Sequence, residues 1–481
     1  MFARSIAVSL SLCFSERYSG IMETKRCNFW LPNKKRFCAN SPIGDSLYCG
    51  NHNSRSEGQW IPCPIDPSHS VLEENLKSHV KRCPLLKQVQ SLSLHPFYRK
   101  GINAGSDGEQ EDKEVLGVDD SRLPAKTVSS EMKRNALHNM SVPEFCNLLE
   151  KIESIHESFC KDIQDSFQMP EVCRMWIKTG EENRKLPFQE KHIMQQASIL
   201  GNLENFGILR SSLNRKFSKS EEPDKQENPV PAVIEFGAGR GYLTQMLADC
   251  YGIKSVFLVE RKSYKLKADR TLRQNDSLRL ERLRIDIEDL DLTAVESLHG
   301  VPFLAIGKHL CGAATDLAMR CCFPVSKDND GGQRDVSKNL GGLAIATCCH
   351  HLCQWKHYTN KRYFLDLGMT KEEFHAITWF TSWAVDANHG SDLPDATDFR
   401  SHFQSIRKEQ GDGYVDGVEK ILADMEAPKR AALGFKCKWI IDMGRLMWLR
   451  ELGLDAELVK YVPPTLSPEN HLLIARPANY L

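Results

Sequence analysis

Eight potential metal ligands crowd into 57 residues near the start of this chain, and they limit what that stretch can fold into more tightly than any other feature. Cys27, Cys38, Cys49 and His52 follow the spacing C-x10-C-x10-C-x2-H, and Cys63, His69, His79 and Cys83 follow C-x5-H-x9-H-x3-C. Each set supplies four thiolate or imidazole donors, the tetrahedral complement of a structural zinc, and together they use all eight ligands without remainder. The surrounding residues 22–87 are rich in Pro and aromatics and poor in helical or strand periodicity. A segment of that kind cannot bury a core and folds on a metal instead. His79 and Cys83 lie one turn apart on an expected helix over Leu72 to Arg82, so both point to one ion. A closed four-ligand site has no position left for substrate, so both Zn2+ sites are expected to be structural. The outer surfaces then carry any function: Lys34-Lys35-Arg36 with Phe29, Trp30 and Phe37 in the first module, and Lys77, Lys81 and Arg82 in the second, offer phosphate contacts and stacking planes for RNA.

The remaining chain is too long for one ordinary domain at 481 residues in all. Its 17 cysteines, an odd number with adjacent pairs at Cys321-Cys322 and Cys348-Cys349, fit metal thiolates in a reducing compartment better than a secreted disulfide framework. Lys+Arg and Asp+Glu balance at 63 each, so binding to nucleic acid must come from local patches. Residues 23–100 carry twelve bases and six acids, whereas 101–125 carry two and seven. This divides the chain into an extension at 1–21 expected to be disordered, a CCCH module at 22–55, a CHHC module at 60–87, an acidic linker at 101–140 and a catalytic domain at 141–481. The extension has an apolar run from Ile6 interrupted by Ser9, which makes mitochondrial targeting the lesser reading against a cytoplasmic or nuclear one. No stretch reaches the roughly twenty apolar residues of a membrane span, so no membrane association is expected, and no obligate protein partner is implied.

Within the last region, Ser141 to Glu144 is a capping-box-like start for an amphipathic helix running through Phe145, Leu148, Ile152 and Ile155, and a second helix is expected from Gln189 to Leu209. From Val233 onwards short apolar runs alternate with helical ones: strands at Val233–Phe236, Ser255–Val259, Leu283–Ile287, Phe303–Ile306 and Leu343–Thr347. That alternation predicts an α/β fold with a parallel, Rossmann-like sheet beginning near residue 232. The stretch from Ser326 to Leu340 reads as a surface insertion, and Trp439 to Leu452 as a packed helix.

The first strand runs into Glu235-Phe-Gly237-Ala-Gly239-Arg-Gly241, where glycines let the backbone turn sharply and approach a ligand. Glu260 ends the second strand, nineteen residues after Gly241, placed to accept hydrogen bonds from ribose hydroxyls. The third runs into Asp286, Glu288 and Asp289, placed for an adenine edge. Dinucleotide enzymes share the ribose acid, but the acid before the glycines and the acid after the third strand point to S-adenosylmethionine and methyl transfer. After the fourth strand come Lys308, His309 and Cys311, and after the fifth Cys348, Cys349, His350 and His351, both on the sheet edge that carries the cofactor. Lys308, His309, His350 and His351 are therefore the candidate catalytic residues. Methylating a ribose hydroxyl needs alignment and removal of one proton, for which Lys308 beside a positive sulfonium, or either histidine, is suited. A third metal at Cys348 to Cys353 is the weaker reading, since adjacent ligands seldom point at one ion.

Taken together, the two ligand sets, Glu190-Lys-His-Ile-Met-Gln-Gln196, the Glu235 to Gly241 loop, Lys308-His-Leu-Cys-Gly312 and Cys348-Cys-His-His351 resemble the eukaryotic tRNA 2′-O-methyltransferases that modify the fourth nucleotide of the acceptor stem. The resemblance runs from Met22 to Val462. It implies S-adenosylmethionine as donor, the tRNA acceptor stem as partner, and a few tRNAs as substrates, those for glycine, proline and histidine among them. It does not name the base, and the Lys-Asp-Lys-Glu tetrad of other ribose methyltransferases is not assembled here. A protein methyltransferase with the same cofactor fold, or a non-enzymatic zinc-finger protein associated with RNA or splicing, are the competing readings.

Overall fold

A computed structural model describes residues 27–31, 36–38, 42, 47–48, 60–65, 69–107, 128–159, 163–182, 190–210, 229–261, 272–274, 278–324, 339–386 and 417–478. They fall into two compact units divided between Lys87 and Gln88. The extension at 1–21, the acidic run 108–127, residues 326–338 of the expected insertion (whose last residue, Leu340, opens a strand), and the ligands Cys49 and His52 lie outside the described residues, as do Lys34 and Lys35.

The first unit has almost no regular structure. Strands β1 (Trp30–Leu31) and β2 (Arg36–Phe37) pair antiparallel, with Cys27 and Cys38 buried against Leu31. Strands β3 (Trp60–Pro62) and β4 (Ser70–Leu72) form a second antiparallel pair. The helix expected over Leu72 to Arg82 is shorter: β4 ends at Leu72, a 3-10 turn covers Glu73–Asn75, and the α-helix is Leu76–Val80.

The second unit is built on an eight-stranded sheet. Its strands are β5 (Gln164–Asp165), β6 (Ala232–Phe236), β7 (Ser255–Val259), β8 (Arg279–Leu283), β9 (Phe303–Cys311), β10 (Leu340–Cys348), β11 (Leu454–Lys460) and β12 (His471–Pro477), in the order β5-β11-β12-β10-β9-β6-β7-β8. The five strands β10-β9-β6-β7-β8 are parallel, as the alternation requires. Beyond them, β12 returns antiparallel to β10 and β11 antiparallel to β12, so the sheet is mixed rather than parallel throughout. The chain from β11 to β12 crosses no helix, and a short return is only possible between antiparallel strands. The third strand lies earlier than expected, over Arg279–Leu283 instead of Leu283–Ile287. It is the sheet's edge, where polar side chains are tolerated, while Ile285 and Ile287 pack into the core after the strand has ended.

Alternation of side chains loads both faces of the sheet. Ala232, Ile234 and Phe236 of β6 belong to one apolar layer and Val233 to the other. The second layer is closed by helices Glu190–Asn205 and Tyr242–Tyr251. The first takes Leu446 and Leu449 from the long helix Ala427–Glu451, which also packs through Ile440 and Ile441 against Phe145, Leu149 and Ile152 of helix Val142–Phe159. That helix begins with the expected reciprocal cap: the Ser141 amide donates to Glu144 at 2.8 Å and the Glu144 amide to Ser141 Oγ at 3.4 Å. Residues 101–107 and 128–140, grouped with the linker on composition, are part of this unit. The Asn103 amide side chain donates to the carbonyls of Ile287 and Leu290, at 2.7 and 2.8 Å, and Ser130–His138 is a helix.

The interior holds a charged network. Arg445, fully buried, donates to Asp316 at 2.6 Å and to Asp442 at 3.0 Å. Asp442 also accepts from Thr347 and lies 2.9 Å from His350 Nε2 and 2.8 Å from His471 Nδ1. Removing one partner of such a set strands the others without compensation. Arg445→Met is expected to lower the unfolding free energy by about 3–5 kcal/mol, read by urea denaturation; a change under about 1 kcal/mol would mean the network contributes little.

Candidate functional site

The carboxyl ends of β6, β7 and β9 open into a cleft of about 910 Å³, the size expected for a small-molecule site at the point where strand order reverses. Its floor is the turn after β6. Gly237, Gly239 and Gly241 all have positive φ, at 61°, 51° and 75°. At Gly237 a β-carbon would sit 3.0 Å from Leu310 Cδ2 and 3.3 Å from the His309 carbonyl, so a side chain would disturb the wall opposite. The Gly239 amide donates to Glu260 Oε2 at 3.1 Å, and Arg282 Nη1 donates to the Gly239 carbonyl at 3.2 Å. Glu260 is thus held at the end of β7 beside the glycine turn. Asp286 lines the same cleft after β8, where it accepts from the Glu288 amide and pairs with Arg261 at 3.1 Å. Asp289 points elsewhere and accepts from the Gly101 amide at 2.8 Å.

Glu235 is buried at the root of this turn and accepts from both the Thr244 hydroxyl and amide, at 2.5 and 3.2 Å. It thereby ties the strand to the first turn of helix Tyr242–Tyr251. Burial pushes its carboxyl up to about 7, opposed by those Thr244 bonds and then by the positive charges of Arg282 and Lys308. Lys308 is the complementary case. Burial brings its ammonium down to about 8, with Glu235 pulling it up and Lys191 adding to the depression. Its Nζ lies 3.4 Å from His192 Nδ1, and the His192 and His309 rings face edge to face-on at 6.3 Å. Lys308, His309, His192 and Gln196 all line the cleft.

Of the four candidate catalytic residues, the structure brings Lys308 and His309 to the cleft and leaves His350 and His351 out of its lining. His350 is a correction to the expectation. Its Nε2 is 2.9 Å from Asp442 and its Nδ1 3.6 Å from Glu469, so it belongs to the buried charged network and has no access to a substrate. His351 is partly buried one residue further, with its carbonyl accepting from Lys133 at 2.9 Å. What the sequence did not single out as chemistry is His192, although the Glu190 to Gln196 segment was conspicuous. Its helical spacing from Gln196 already put both on one face.

In the first unit Cys63, His69, His79 and Cys83 converge, with all four ligand atoms within 4.8 Å of one another. The Cys63 and Cys83 sulfurs are 3.9 Å apart and His79 Nε2 is 3.3 Å from Cys63 Sγ. Thiol and imidazole donors at these separations fit one tetrahedral zinc. Cys27 and Cys38 are brought together by the β1–β2 pair and buried. Around them Phe29, Trp30 and Phe37 stay exposed, with Trp30 and Phe37 ring centroids 5.1 Å apart. Lys77, Lys81 and Arg82 are exposed on the second module.

Comparison with known proteins matches residues 194–476 to the family model described as methyltransferase TRM13, residues 25–53 to the CCCH zinc finger in TRM13 protein, and residues 60–84 to the U11-48K-like CHHC zinc finger. The chain is 49% identical over 249 residues to the tRNA:m(4)X modification enzyme TRM13 of Oryza sativa subsp. japonica, covering 50% of this chain and 91% of that one. It is 31% identical over 503 residues to the Mus musculus homolog, covering 94% and 95%, and 24% identical over 509 residues to the Saccharomyces cerevisiae protein, covering 93% and 95%.

Proposed function

The chain belongs to the TRM13 methyltransferase family, and from that premise we propose that it methylates the ribose 2′-hydroxyl of the fourth nucleotide in the acceptor stem of a few tRNAs, those for glycine, proline and histidine among them. The observation that carries this reading is Lys308, buried in the wall of the cleft beside the glycine turn with its ammonium brought down to about 8 by that burial, in a chain whose relatives are named as tRNA modification enzymes. S-adenosylmethionine, once bound, supplies the methyl group as an electrophile on a positively charged sulfur.

The chain's own residues would hold and orient that donor. The backbone of Gly237 to Gly241 makes room for close approach, Glu260 accepts from ribose hydroxyls, and Asp286 reaches toward the base. An alcohol attacks only as its proton leaves, so the site needs an acceptor whose pKa is near working pH. Lys308 meets that demand, with His192 Nδ1 3.4 Å away to orient its Nζ. His309, exposed at the cleft, is placed to meet the incoming nucleotide. Stem recognition by shape, phosphate and 2′-hydroxyls needs distributed basic and aromatic surfaces rather than a basic chain, and the exposed Trp30, Phe37, Lys77, Lys81 and Arg82 are of that kind. We assign the modules at 22–55 and 60–87 to this task and the catalytic role to the unit that follows.

The test is transfer of labelled methyl from S-adenosylmethionine to total tRNA, followed by nuclease digestion and mass mapping. Ribose methylation at the fourth acceptor-stem nucleotide is expected. Label in a base, at another position, or in protein instead of tRNA would overturn the reading.

A further inference from the structure

A third cysteine cluster lies where β9 and β10 end. Cys311 and Cys348 are direct partners in the parallel register, and their sulfurs are 3.8 Å apart. Cys349 joins them, so that all three sulfurs lie within 4.8 Å of one another. Two consecutive residues should not manage this, because neighbours in a strand point to opposite faces. The backbone supplies the reason. Cys349 has φ 50° and ψ 45°, and it is the sole non-glycine residue of positive φ among the described residues. Such a conformation costs of order 1–3 kcal/mol and persists only where the surroundings enforce it. Here it turns the second thiol to the side of the first.

Those surroundings are rigid. The Gly312 amide donates to the Cys348 carbonyl at 3.1 Å, and a β-carbon on Gly312 would come within 2.5 Å of Leu352. The buried Arg445 guanidinium donates to the Gly312 carbonyl and to Cys353 Sγ, at 3.4 and 3.2 Å. The chain also contains its own yardstick: in the CHHC module the two cysteine sulfurs are 3.9 Å apart. Two thiolates on one tetrahedral zinc, each at about 2.3 Å, are separated by about 3.8 Å.

We propose that Cys311, Cys348 and Cys349 bind a third zinc ion as three thiolates, with the fourth position open. Thiolates select soft or borderline ions such as zinc, and the three thiol protons are released to solvent on binding. Among the described residues no fourth Cys, His, Asp or Glu atom joins the cluster, so the fourth ligand is water or a bound molecule. Three protein ligands with one free position are the arrangement of an accessible rather than a closed zinc site. Cys311 is exposed and lines the cofactor cleft, which puts that position within reach of the cleft.

Zinc per chain is measured by plasma mass spectrometry on the full-length protein, purified with reductant and freed of loose metal by a brief chelator wash. Cys311→Ser and Cys349→Ser are each expected to lose one zinc relative to the unaltered chain, which should hold three. Cys311 is exposed, so its serine variant should keep the fold, and circular dichroism checks this. An unaltered metal count in both variants overturns the proposal, as does a count of two in the unaltered chain. Metal counting involves no methyl transfer, so this proposal and the assignment of tRNA as substrate stand or fall separately.

Discussion

Gly239→Asp is expected to abolish binding of S-adenosylmethionine while leaving the protein folded and its zinc content unchanged. Gly239 sits at φ 51°, and a β-carbon there meets nothing nearer than the Gly237 carbonyl at 4.0 Å. The chain itself therefore has room for a side chain, and the fold need not fail. The room is the cofactor's. A second carboxylate would be planted beside Glu260, whose Oε2 is 3.1 Å from the Gly239 amide, in the part of the cleft where ribose hydroxyls are to be bound. Backbone strain of order 1–3 kcal/mol falls on the folded chain with or without the donor, so the lost affinity comes from steric exclusion by the new side chain. Calorimetry should show affinity reduced at least 100-fold. Affinity within a few-fold of the unaltered chain would mean that the donor does not lie against this turn.

How much of this was legible beforehand follows from how local each signal is. The glycine turn and Glu260 each directly follow a short apolar run, which is how a strand end is written in the sequence, whereas Asp286 lies three residues past the end of the more polar edge strand β8. Those positions fall together in the cleft. The four ligands of the CHHC module also converge, since metal spacing is a local constraint. By contrast, His350 reads as equivalent to Lys308 because each comes just after a short apolar run of the sheet, although β9 extends to Cys311 and holds Lys308 within it. The fate of His350 is decided by Asp442 and Glu469, which lie far along the chain. The antiparallel pair β11–β12 was missed for a similar reason: Leu454–Lys460 alternates apolar with charged residues and His471–Pro477 is almost continuously apolar, and neither forms part of the strand–helix rhythm that identified the others. The convergence of Cys348 with Cys349 runs against the expectation that adjacent ligands seldom point at one ion, which holds until the backbone at Cys349 turns left-handed.

Lys308→Ala is expected to slow single-turnover methyl transfer by about 10²–10⁴-fold while leaving donor affinity within a few-fold. The sign of the pH dependence follows from the charge states. A base must be neutral to act, and with its pKa brought down to about 8 by burial roughly a tenth of Lys308 is neutral at pH 7. The rate of the unaltered chain should therefore climb with pH and level off above about 8, and the variant should lose that limb. Lys308→Arg separates proton transfer from simple charge, because a guanidinium stays protonated throughout. It should be as slow as alanine, and recovery of the rate by arginine would make Lys308 an electrostatic anchor instead of a base. Glu235 offers an independent check. Its carboxylate favours the charged form of Lys308, so Glu235→Gln, which retains an oxygen for Thr244, should move the rising limb to lower pH. Because burial holds Glu235 itself up near 7, it is charged mainly above that value, and the displacement should be greatest there. A limb that stays in place would mean that some group other than Lys308 controls the proton.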